Sequence, residues 1–140
     1  MATPVYGKQY IRFAETAFVP ANLPLTAFSL VEITAGAATE PPSIEFASGT
    51  ATFGVLQQDM PAVDAERAVT MPRLGTVATS GLLLVRADSG ALPTQGIGLM
   101  TDGSGAATSS GTPVTVNGTQ PTVRQLVQIG GIDHVLVSFA

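Results

Sequence analysis

Fifteen glycines and ten prolines punctuate a chain of 140 residues every few positions. Glycine weakens a helix interior and proline interrupts it, so little room is left for a long helix. Between these breaks lie short β-branched and aliphatic runs, the pattern of an all-β sandwich or barrel. The runs predict strands near 28–33, 44–47, 52–57, 67–71, 74–78, 82–86, 96–101, 113–117, 123–129 and 133–139. No repeat of fixed period is visible, and the length suits one domain with a real core.

Charged residues are 11% of the chain and the net charge is −4. An ordinary soluble domain carries roughly 25% charged residues, so a solitary surface here would be poorly protected against association. This predicts that neighbours cover much of the surface. The basic residues, Lys8, Arg12, Arg67, Arg73, Arg86 and Arg124, are scattered, which argues against a nucleic-acid partner. The absence of cysteine excludes disulfides, thiol catalysis and thiolate metal sites. "GLLLV" at 81–85 is too short to span a bilayer, and "MATPVYGKQYIRF" has no apolar core of signal-peptide length. The expectation is a soluble protein made in the cytoplasm, with no membrane and no cofactor.

Residues 1–25 differ from the rest and are read as an amino-terminal arm ahead of a β-rich body, 26–140. In "YGKQYIRFAETAFV", Tyr6, Tyr10, Phe13, Ala14 and Ala17 fit a helical stripe, whereas Ile11 and Phe13 also fit an extended segment. Aromatic residues in a terminal segment need something to hold them: their own body or a neighbour.

At the carboxyl end, "VRQLVQI" and "DHVLVSF" flank "GGI" and form a hairpin. A two-residue Gly130-Gly131 turn would set Val127 against His134 and mix polar with apolar residues on both faces. An odd loop, Gly130 to Ile132, pairs Val123 with Phe139, Gln125 with Val137 and Val127 with Val135, and segregates the faces. The odd loop is therefore predicted, with His134 outward beside Gln128.

Chemistry-bearing constellations are sparse. His134 is the one histidine, so any triad or imidazole metal site must pass through it. Asp59, Asp64 and Glu66 cluster in what reads as a solvated loop, too few converging oxygens for a hard cation. "VRADSGAL", 85–92, resembles the Asp-Ser/Thr-Gly-Ala signature of retroviral-type aspartic proteases, with Asp88-Ser89-Gly90 matching. Arg86 and Ala87 stand where that family has a buried apolar pair, and Asp-Ser-Gly is also a common turn. "TDGSGAATSSGTP", 101–113, has the glycines of a phosphate loop without its lysine and reads as a flexible, exposed excursion. "NGT" at 117–119 fits a glycosylation sequon and, more simply, an Asn-Gly turn. No catalytic or metal-binding residue is assigned.

Taken together, "FGVLQQD", "ERAVTMPRLGTV", "LLLVRADSGAL", "GIGLMTDGSGAAT" and "IGGIDHVLVSFA" resemble the head decoration, or capsid cement, proteins of tailed phages. The resemblance covers about residues 50–140; Gly98 to Asp102 and Gly105 supply the penultimate pattern, and Val135, Val137 and Phe139 the last strand. It implies a compact β-barrel-like body, not an enzyme, that sits on the outside of a capsid. Its partners would be the major capsid protein and two further copies in a homotrimer. Phe53 and Val55 would then be core residues, and "QQDMP" the exit of a strand into a surface loop or subunit contact. The candidate contacts are Tyr6, Tyr10, Ile11, Phe13, Phe18, Gln57 and Gln58. A rival class, a fibre or tail module that binds a receptor or glycan, predicts an aromatic platform on the body, yet Trp is absent and both tyrosines lie in the arm.

Overall fold

The computed structural model describes residues 9–19, 24–34, 42–48, 51–60 and 73–139. Among these there is no helix. Seven antiparallel strands form the main sheet: β1 (Tyr10–Phe18), β2 (Leu30–Ile33), β3 (Ile44–Phe46), β4 (Gly54–Leu56), β5 (Leu74–Arg86), β9 (Thr122–Ile129) and β10 (Ile132–Phe139). A three-stranded sheet joins β6 (Met100–Thr101), β7 (Ala107–Thr108) and β8 (Thr112–Pro113). The order is β3-β2-β4-β5-β10-β9, with β1 also on β5, and β7-β6-β8. The body is sandwich-like and does not close into a barrel. The strand predicted at 67–71 lies outside the described residues.

The segments 74–78 and 82–86, predicted as two strands, are one. β5 pairs with β1 over Leu74 to Leu82, with β4 at Val77 and Ala78, and with β10 over Gly81 to Arg86. Val77 and Ala78 are shared by β1 and β4, and Gly81 and Leu82 by β1 and β10. β1 therefore lies along one edge of β5, and β4 and then β10 along the other. Gly81 lets the strand bend without losing its ladder: its φ is +123°, and a Cβ there would run into the Tyr10 carbonyl oxygen.

Both faces of the middle of the main sheet, at β4, β5 and β10, are covered. Leu30, Val55, Leu83, Val85, Leu99, Val114, Val123, Val135 and Val137 make one buried cluster. Ala17, Val19, Leu25, Val31, Ile44, Leu56 and Val77 make a second, against which Phe53 is half-buried, and Leu84, Val127 and Leu136 a third. Each fully buried side chain of this size contributes roughly 1.5–3 kcal/mol of transfer free energy.

This two-sided burial overturns the odd-loop hairpin. Val127 pairs with His134, and the turn is Gly130-Gly131, with φ of 58° and 80°. The segregation argument assumed one wet face, but His134, Val135, Leu136 and Val137 are all buried, so facing alternation no longer selects a register. The turn chemistry decides instead. A bulge at Arg124 then shifts the ladder, so that Val123 meets Val137.

The stretch 101–113 is exposed at 102–104 and 109–113, as predicted, but it is anchored to the body between and beside them. Thr101, Ala107 and Thr108 are buried, and the Leu30 amide donates to the Gly105 carbonyl at 2.8 Å. Gly105 is held so close that a Cβ would press on Phe46 and Leu30. The Asn117-Gly118 turn forms as expected, with φ of 53° and 79° between the bridged Val116 and Thr119.

Gly81→Ala combines an unfavourable φ with a backbone collision, whereas Gly96→Ala meets an unfavourable φ (+85°) in open space. Urea unfolding should show a loss of about 1–2 kcal/mol for Gly96→Ala and roughly 3 kcal/mol or more for Gly81→Ala.

Candidate docking edge

β1 resolves the ambiguity of the amino-terminal segment in favour of an extended conformation. β5 offers a row of unpaired backbone groups, and an antiparallel partner satisfies them where a helix would not. Ala17 is buried and Phe18 half-buried, but every residue from Tyr10 to Thr16 is exposed. Tyr10 and Phe13 are each 64% exposed and Ile11 41%. The Phe18 amide donates to the Pro42 carbonyl at 2.8 Å and Phe18 bridges Ser43, closing that end of the outer edge. From Tyr10 to Thr16, no backbone group meets the outer edge among the described residues. Arg12 forms a bulge in this strand, and Thr79 an opposing one in β5. Charges and bulges are common ways to blunt an edge, but here they sit beside large exposed apolar side chains.

The predicted contact residues thus separate. Tyr10, Ile11 and Phe13 come together on one exposed strand. Phe18 is tied into the body, and Tyr6 lies outside the described residues. Gln57 and Gln58 are bonded internally. The Gln58 Oε1 accepts from the Thr76 amide at 2.9 Å, and the Gln57 amide donates to the Thr76 carbonyl at 2.9 Å. The Gln57 side chain donates to the Val55 carbonyl and accepts from Gln9 Nε2 at 3.0 Å. Asp59 accepts from the Ala27 amide, and Met60 exchanges two backbone bonds with Leu25. Residues 57–60, "QQDM", are where β4 leaves the core, held by their own amides; Pro61 lies outside the described residues. Gln9, which the sequence did not single out, straps β1 down: its Oε1 accepts from the Leu84 amide at 2.9 Å. A glutamine beside a strand carries no signal of that role, because its partners are distant in the chain.

The other end of the sheet is also open. The Gly96 amide donates to the Val123 carbonyl and the Val123 amide to the Ile97 carbonyl, covering the start of β9. Beyond Val123 the outer edge of β9 meets no backbone group among the described residues, and Leu126 there is 45% exposed.

His134 is not the outward residue predicted. It is 5% exposed, its ring meets Phe28 edge-on at 5.5 Å between centroids, and its Nδ1–H donates to the Ile132 carbonyl at 2.9 Å. His134 shares a face of β10 with Leu136, and that face is covered by Leu84 and Val127 rather than wet. It lines a cleft with Thr26, Ala27, Phe28, Asp59, Arg86, Ile129 and Ile132. Arg86 there donates to Thr26 Oγ1 at 2.8 Å. Asp88 accepts from the Gly90 amide at 2.9 Å, the turn expected of Asp-Ser-Gly. Among the described residues, no group of three or more His, Asp or Glu comes together to hold a metal ion.

No family model matches the chain, and no curated protein matches it. Among solved structures, the chain is similar to the N base of the head fiber gp8.5 of bacteriophage phi29. The TM-score is 0.57 at 20% sequence identity, over 90% of this chain and 93% of that one. The likeness is one of fold. It spans nearly the whole of both chains.

Burial lowers the His134 pKa from its ordinary 6.5; the Ile132 carbonyl opposes this, Arg86 reinforces it and Asp133 opposes it. As pH falls through 6.5, the unfolded chain takes up the proton first, so stability drops until the folded ring is protonated too. Because this is the one histidine, unfolding free energy should decline between about pH 7 and pH 5, above the range where most carboxylates titrate. In His134→Phe the decline should vanish; urea titrations at each pH check it.

Proposed function

We propose that this chain is a structural protein of a phage head that sits on the capsid exterior and cements the shell by bridging major capsid protein subunits. The fold likeness to a head-fiber base carries the reading, supported by an apolar strand edge on a charge-poor chain. The mechanism is multivalent. Copies associated as a trimer would hold several capsid subunits at once, and each linked contact raises the effective concentration of the next. No catalytic step is involved. The neighbour being a fiber base favours a second reading, in which the body is the capsid-proximal foot of a projection; a projecting density on intact particles would select it.

Within the predicted arm, residues 10–18 are part of the sheet, so removing residues 1–20 would strip β1 and leave an edge of β5 unpaired. The informative truncation stops before Gln9. Deletion of residues 1–8 should leave the circular dichroism and melting of the body unchanged. It should weaken cosedimentation with capsids by roughly tenfold or more, as expected when one of several linked contacts is lost. Full retention on capsids would remove the arm from the mechanism. The intact chain should also be stoichiometric with the capsid subunit in purified particles.

A further inference from the structure

Among the described residues, two edges of the main sheet, those of β1 and β9, are complementary to each other. β1 is free along its outer edge from Tyr10 to Thr16, and β9 from Arg124 to Ile129, among the described residues. Laid antiparallel, the segments "YIRFAET" and "RQLVQI" have a register that sets Glu15 against Arg124, Phe13 against Leu126 and Tyr10 against Ile129. Glu15 and Arg124 are both exposed, and neither makes an ion pair or side-chain hydrogen bond among the described residues. Phe13 and Leu126 are large apolar side chains left uncovered at the two edges. Bulges at Arg12 and at Arg124 let either strand adjust by a residue as it pairs.

From this match we infer that β1 of one copy adds as a strand to β9 of the next, with Glu15 opposite Arg124 as the pair that selects the register. The inference rests on reading the exposed β1 edge as a subunit contact. Main-chain hydrogen bonds supply the attraction, the apolar pairs exclude water, and the charge pair disfavours a slipped alignment. Because the two edges are different surfaces, the contact is head-to-tail, and it closes into a ring when the rotation per copy allows. Both of these edges are covered in such a ring, which removes the aggregation hazard of leaving them unpaired.

The test uses the full chain in a concentration series read by light scattering and sedimentation. The expected result is a discrete multiple of the 14.2 kDa chain. Glu15→Arg and Arg124→Glu should each raise the half-association concentration roughly tenfold, because each turns an attraction into a repulsion. The double reversal should return it to within about threefold of the parent, the signature of direct coupling. A chain monomeric throughout the series overturns the inference, as does a double reversal no better than either single change. Assembly indifferent to Arg124→Glu also overturns it and indicates pairing of β1 with β1. Both sites are exposed, and unchanged melting of each variant excludes misfolding as the cause. Capsid cosedimentation is measured separately. Assembled chain that ignores capsids counts against the proposed function, whereas monomeric chain that still binds them counts only against this interface.

Discussion

Hydrogen bonding along both edges of β5 is the constraint on which the remaining structure depends. β1 takes one edge and β4 and β10 take the other, so residues from every part of the chain converge on one strand. Few single elements of a β protein have so many distant partners. β4 and β10 share one edge of β5, at Val77–Ala78 and Gly81–Arg86, and the Arg86 amide donates to the Phe28 carbonyl at 2.8 Å.

The open edges follow from the same arrangement. A sheet that does not close must end somewhere, and among the described residues this one ends on β1, β3 and β9. Isolated proteins usually defend such ends with charge, but this chain has few charges to deploy and sets aromatic side chains beside them. On the proposed reading, neighbours in a shell would supply the missing strands. Low charge, exposed Tyr10 and Phe13, and likeness to a head-fiber base are thus parts of one account.

Local features were legible in the sequence where a residue type dictates a backbone conformation. Asn117-Gly118 and Asp88-Ser89-Gly90 form the turns their chemistry demands, and most strand segments lie where β-branched runs predicted them. The errors share one cause. Assigning one wet face to the carboxyl-terminal hairpin misplaced His134, and assigning mobility to the glycine-rich 101–113 missed a packed sheet. In both places burial came from segments far away in sequence, which pattern within a window does not register. The candidate contacts divide along the same line: Tyr10, Ile11 and Phe13 are exposed, whereas the internal bonds of Gln57 and Gln58 depend on Thr76 and Gln9.

By itself the sequence determined an all-β chain. Glycine, proline and β-branched residues act through their own φ preferences and need no partner to rule out long helices. Tertiary structure decided which edges stay open, which register the last hairpin adopts and which face of each strand is dry. Those are properties of pairs of segments, and a strand's hydrogen-bonding groups are the same whether a neighbour fills them or not. Only the packed arrangement distinguishes a satisfied edge from one that still awaits a partner.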